Sequence, residues 1–238
     1  MVQKIIITGF PHCGTTILKS IIGHINSVKE IYEETDIINL EETDKMMLEK
    51  SDKKFIVCKY PLYNSKFLSE EYNDYIKIII IRNPLYVFSS LNKRFDKDYH
   101  NIDKYPTIEK YIDYIKVFKK LKSNIKENVY TIKYEDMFKD NFLQLKNIFD
   151  NIGMKYNNCI FDNTQYINYC DKNKTRIKEE NIKGEKGKLH MDYRIMQINK
   201  PFLLNNDISK INLHKDQETK IINNNDIIEL YPDILKII

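Results

Sequence analysis

The chain has 238 residues, 42% of them hydrophobic, which is enough for one well-cored domain and short for two. Its formal net charge of +4 is mild, so it suits a small anionic ligand and argues against a nucleic-acid binder. No apolar run reaches the roughly 18 residues of a membrane-spanning helix, and the sequence enters a strand at once, so no signal peptide is expected. The cysteines Cys13, Cys58, Cys159 and Cys170 form no C-x-x-C pair, so reduced thiols and a cytoplasmic compartment are expected.

In chain order, short apolar runs at Ile5–Ile7, Phe55–Cys58, Ile76–Ile81 and Val129–Ile132 predict buried parallel strands. Helical patterns cover Thr16–His24, a segment near Phe67–Tyr72, Tyr86–Phe95, Ile108–Ile125, Phe142–Ile152 and a stretch near Thr219–Leu230. In the longest, Ile108, Ile112, Ile115, Phe118, Leu121 and Ile125 define one apolar face. Strands alternating with helices imply an α/β fold, a central parallel sheet flanked by helices, with ligands at the carboxyl ends of the strands. Residues 1–238 read as a single domain, and Asn173–His190, rich in Lys, Glu, Asn and Gly, reads as a long surface loop.

Two segments carry chemistry. The first is Gly9-Phe10-Pro11-His12-Cys13-Gly14-Thr15-Thr16, where a strand turns through small residues into a helix. Backbone N–H groups at such a turn lack intrahelical partners and, with the helix dipole, make an anion site. Gly14 permits close backbone approach, and Thr15 and Thr16 add hydroxyls. The spacing is nearly that of a P-loop, but Thr15 stands where the loop lysine would reach the terminal phosphates of a nucleoside triphosphate. The second is Arg82-Asn83-Pro84, at the end of the Ile76–Ile81 strand, with Ser90 and Arg94 four residues apart on one helix face. Arginines and a hydroxyl converging there would bind a second phosphate. Each segment also has a plainer reading: an ordinary strand-to-helix turn, and an arginine paired with a neighbouring carboxylate.

Together the two segments resemble the phosphosulfate loop and the 3′-phosphate site of sulfotransferases that use 3′-phosphoadenosine-5′-phosphosulfate (PAPS). The resemblance spans roughly residues 3 to 150, and it implies the three-layer P-loop-like fold of that family. A third match is Ile132-Lys133-Tyr134-Glu135-Asp136-Met137, similar to the family's Y-E-D-L element, whose tyrosine lies near the nucleotide. Within the family, the chain looks most like tyrosylprotein and carbohydrate sulfotransferases. Glu33-Glu34-Thr35 resembles their E-E-T, whose second glutamate is the general base. Lys59-Tyr60-Pro61 resembles their K-x-P, whose lysine stabilises the transferring group. The spacing to Glu34 is slightly longer than in that pattern, so Glu33 is the alternative base.

The resemblance thus implies Pro11, His12, Cys13, Gly14, Thr15, Thr16, Arg82, Ser90, Arg94 and Tyr134 as nucleotide-binding residues, with Lys183 and Gly184 in a closing loop. It implies Glu34, Lys59, His12 and Glu33 as the catalytic set, with PAPS as co-substrate and no metal. His12 stands where the family carries arginine or lysine, so activity would depend on its charge, or it would itself protonate the leaving phosphate. The expected acceptor is a hydroxyl of a glycan, a peptide tyrosine or a small molecule. Two competing readings are a P-loop kinase of a small metabolite and a catalytically silent nucleotide-binding protein. Neither the acceptor nor the oligomeric state is written in the sequence.

Overall fold

Branched and aromatic apolar side chains on both faces favour a strand covered on two sides, and the chain uses them so. The computed structural model describes residues 2–30, 53–60, 65–95, 106–124, 126–161, 204 and 206–237. Among the described residues, five strands form one sheet: β1 (Gln3–Gly9), β2 (Val28–Glu30), β3 (Phe55–Tyr60), β4 (Tyr75–Ile81) and β5 (Val129–Lys133). Their order is β2-β3-β1-β4-β5, and every pairing is parallel. The four predicted strands are present, and β2 is a three-residue edge strand too short to leave a periodic signal.

Side chains along β1 alternate between faces. Ile5 and Ile7 join Val57 and the main core, whereas Ile6 packs with Ile56, Cys58, Tyr60, Phe67, Tyr72 and Tyr75 on the other side. The described helices are α1 (Thr15–Gly23), α2 (Pro84–Phe95), α3 (Ile108–Ser123), α4 (Tyr134–Met137), α5 (Leu143–Asn151), α6 (Lys215–Ile222), α7 (Asn225–Leu230) and α8 (Ile234–Ile237). The molecule is therefore an α/β protein built on a parallel five-stranded sheet.

Three predicted elements differ in detail. The segment near Phe67–Tyr72 forms two short 3-10 turns, Ser65–Leu68 and Glu70–Tyr72, rather than a helix. The stretch Thr219–Leu230 is two helices, because Asn224 breaks the first and caps the second by accepting from Ile227 N–H at 3.0 Å. The buried face of α3 also turns toward Tyr111 and Tyr114, which are buried alongside Ile108, Ile115, Phe118 and Leu121; Ile112 is only partly covered. Those tyrosines are tolerated inside because their hydroxyls find carbonyls at the end of β4: Tyr114 donates to Ile80 O at 2.8 Å, and Tyr111 to the carbonyl of Arg82, one residue past the strand.

The C-terminal helices pack against α2 and α3. Lys119 bonds Asp226 at 2.7 Å and Glu229 at 2.5 Å, and Lys220 bonds Glu109 at 2.5 Å. A buried amide pair, Asn92 Nδ2 to Gln217 Oε1 at 2.9 Å, ties α2 to α6.

Candidate functional site

The carboxyl end of β1 lies mid-sheet, with β3 on one side and β4 on the other, where crevices form in open parallel sheets. At Gly9 a Cβ would stand 2.6 Å from the Ile80 carbonyl, so only glycine lets β1 and β4 approach there. Phe10 then anchors the turn in the core, edge-on to Tyr111 at 5.0 Å between ring centroids. His12 has a φ of 65°, and Gly14 caps α1 with a φ of 95°, a left-handed conformation suited to glycine. Gly14 has no side chain to cap the helix, so the first-turn N–H groups face the turn as donors for an anion.

Cys13 is fully buried, and burial pushes its thiol up to about 12. It is therefore no nucleophile, and only its backbone belongs to the turn. Lys59, near the end of β3, pairs in register with Ile7 and is 3% exposed. Its ammonium donates to Thr16 Oγ1 at 2.8 Å, which sets a buried positive charge against the first turn of α1.

On the other side, β4 ends at Ile81, and its register with β1 places Arg82 just beyond Gly9. Asn83 and Pro84 convert the strand into α2: the Asn83 side chain accepts from Leu85 N–H at 2.9 Å, and proline supplies the helical φ. The Arg82 guanidinium lies over the Tyr134 ring at 4.4 Å from its centroid and over the Tyr86 ring at 5.7 Å. It donates to the His12 carbonyl at 3.4 Å, while His12 Nδ1 and Ser90 Oγ share a hydrogen bond of 2.6 Å. His12 thus joins the turn after β1 to both Arg82 and Ser90.

Tyr134 is the second link. A Cβ on Gly14 would sit 2.5 Å from its ring, so the tyrosine is wedged between Gly14 and the Arg82 guanidinium. Its neighbour Glu135 accepts from the Asn83 N–H at 2.8 Å, and burial raises the carboxyl above its ordinary value. Glu135 lay in the Y-E-D motif without a role, and Tyr111 lay off the predicted apolar face. A tyrosine repeating at helical spacing beside a buried strand end was the signal that would have found it.

The structure brings together Pro11, His12, Cys13, Gly14, Thr15, Thr16, Lys59, Arg82, Ser90 and Tyr134. Arg94 lies on α2 one turn beyond Ser90, with its side chain outside the described residues, as are Glu33, Glu34, Lys183, Gly184 and the Asn173–His190 loop. Among the described residues no three His, Cys, Asp or Glu side chains cluster as a metal site. No described helix is long and apolar enough to cross a membrane.

The sulfotransferase domain family matches residues 2–200. No curated protein matches the chain in sequence. Among solved structures, mouse sulfotransferase SULT7A1 complexed with PAP (adenosine 3′,5′-bisphosphate) aligns with a TM-score of 0.56 and 15% identity. That alignment covers 97% of this chain and 88% of the mouse protein, and it shows a shared fold. Retinol dehydratase in complex with retinol and PAP aligns at a TM-score of 0.47 and 14% identity, over 98% of this chain and 81% of the other. A turn after β1 made for an anion, a strand-end arginine joined to it through a histidine, and a family match over most of the sequence lead to one conclusion: the chain belongs to the sulfotransferase domain family.

Proposed function

We propose that this sulfotransferase takes PAPS as donor, with the Pro11–Thr16 turn on the 5′-phosphosulfate and Arg82 and Ser90 on the 3′-phosphate. The observation that carries the assignment is the pair of bonds from His12, to Arg82 and to Ser90, which makes two anion cradles into one connected site. A ligand with two separated phosphate groups fits such a site better than a single phosphate does. Arg94 and the Lys183–Gly184 segment extend the 3′-phosphate half in this reading.

In the reaction, an acceptor hydroxyl oxygen forms a bond to sulfur as the bond from sulfur to the 5′-phosphate oxygen breaks, and the bisphosphate leaves with the electron pair. Fixed positive charge at the breaking bond lowers the barrier. In this reading Lys59, bonded to Thr16, does that work, and His12 adds a second donor in its cationic form. The acceptor proton passes to a carboxylate, Glu34 in our assignment and Glu33 as the alternative. The acceptor class is a hydroxyl of a glycan, peptide or small molecule. The lack of any C-x-x-C spacing among the cysteines supports a reducing, cytoplasmic setting in this reading.

The test is calorimetric titration with adenosine 3′,5′-bisphosphate beside ATP and Mg²⁺. Micromolar binding of the bisphosphate with little ATP binding is the expected result. The reverse preference sinks the assignment in favour of a metabolite kinase, and bisphosphate binding with no turnover of PAPS against any hydroxyl panel makes the protein a silent binder. Glu34→Gln should spare bisphosphate affinity and cut turnover by roughly two to four orders of magnitude. If Glu33→Gln does so instead, the base is Glu33.

A further inference from the structure

Arg82 and Asn83 share one peptide group, and both of its polar atoms are held by side chains from elsewhere in the chain. The carbonyl of Arg82 accepts from the Tyr111 hydroxyl on α3, and the N–H of Asn83 donates to Glu135 Oε1 on α4 at 2.8 Å. In a trans peptide these two atoms point in opposite directions, so the plane is gripped from both sides. Turning that plane would change ψ of Arg82 and φ of Asn83, unsettle the strand end from which the arginine departs, and break at least one of the two bonds. Tyr111 is itself fixed, buried between Phe10 at 5.0 Å and Phe88 at 5.6 Å, both edge-on. Glu135 follows Tyr134, whose ring carries the guanidinium.

We infer that Tyr111 and Glu135 are positioning residues that aim Arg82 at the 3′-phosphate, acting through the Arg82–Asn83 peptide without touching the nucleotide. The inference rests on the assignment of Arg82 to the 3′-phosphate. Its physical content is that discrimination between a 3′-phosphorylated nucleotide and its 3′-hydroxyl counterpart depends on two groups outside the ligand's reach. An arginine free to swing loses orientational preorganisation, and with it part of a charge-assisted contact.

The experiment compares adenosine 3′,5′-bisphosphate with adenosine 5′-monophosphate, which lacks the 3′-phosphate, by calorimetry on the full chain. Tyr111→Phe keeps the ring packing, and Glu135→Gln keeps an acceptor for Asn83. Tyr111→Phe and Glu135→Ala should each weaken the bisphosphate about five- to tenfold and leave the monophosphate within about twofold, with Glu135→Gln restoring most of the loss. With PAPS, the KM should rise while kcat at saturation holds. In an Arg82→Ala background neither substitution should cost more, because the residue they aim is gone. Equal losses for both nucleotides, with lowered thermal stability, would make the two groups structural only and overturn the inference, as would no loss at all. If Arg82→Ala itself leaves the preference for the bisphosphate intact, the 3′-phosphate assignment fails first and the positioning role with it.

Discussion

In the proposed reading, the two halves of the site would hold anions by different means. The turn after β1 works through its backbone: Gly9 clears the Ile80 carbonyl, Gly14 takes a φ of 95°, and the side chain of Cys13 turns into the core. The Arg82–Ser90 half works through side chains, each held by a further side chain: Arg82 by Tyr134, its peptide by Tyr111 and Glu135, Ser90 by His12. The difference has a physical cause. Backbone donors are placed by φ and ψ alone, whereas a long arginine has several free torsions and needs neighbours to fix it. Damage to the first half should follow from changes in conformation, and damage to the second from loss of functional groups.

The largest effect falls where the halves meet the reacting bond. Lys59→Ala should lower turnover about a hundred- to a thousandfold, the range for losing one fixed donor from a transition state, with bisphosphate affinity much less changed. Steady-state kinetics with PAPS checks it, and an equal loss in binding and turnover would return Lys59 to ground-state binding. Gly14→Ala is the conformational blow: a side chain at positive φ costs about 1–3 kcal/mol, and the new Cβ meets Tyr134 at 2.5 Å. It should lower the melting temperature and bisphosphate affinity together, since the displaced tyrosine carries Arg82 with it. Arg82→Ala should cost about 1.5–3 kcal/mol of bisphosphate affinity by calorimetry while the melting temperature holds, which would separate a functional group from a fold determinant.

Much of this arrangement was legible in the sequence, for reasons that can be named. Ile5–Ile7 and Ile76–Ile81 announce buried strands because both faces are covered, and Gly14 and Pro84 announce the two helix starts because few residues tolerate those dihedrals. What stayed hidden is long-range. Tyr111 to Arg82 spans 29 positions and Glu135 to Asn83 spans 52, and no local periodicity encodes such a pairing. A tyrosine hydroxyl can sit on a buried helix face once a strand-end carbonyl receives it, so the buried face of α3 takes in Tyr111 and Tyr114 and leaves Ile112 only partly covered, while Ile125 lies outside the described residues. The 3-10 turns at Ser65–Leu68 and Glu70–Tyr72 were hidden for another reason. Leu68 and Tyr72 stand four apart, a spacing that fits a helix, yet Phe67 and Tyr72 are buried by a sheet face that two tight turns satisfy equally well.

The smallest expected effect sharpens the comparison most, because Cys13 sits between two residues proposed to bind the anion and should hardly matter to it. Its side chain is 0% exposed and belongs to the core cluster, so the backbone account of the turn predicts that Cys13→Ala changes bisphosphate affinity by less than about twofold. Its cost should appear in stability, about 1 kcal/mol for a small apolar group removed from a packed site. The thiol should also resist alkylation in the native protein while Cys159, exposed, reacts, because burial both shields Cys13 and holds its thiol protonated. The linked stability has a definite sign. Because the folded protein holds the proton more tightly than the unfolded chain, whose thiol ionises near 9.0, this contribution is full below that value and falls as pH rises toward about 12. Mass spectrometry of alkylated native protein reads the first outcome, and a loss of bisphosphate affinity in Cys13→Ala with the melting temperature unchanged would show that the turn binds through its side chains after all.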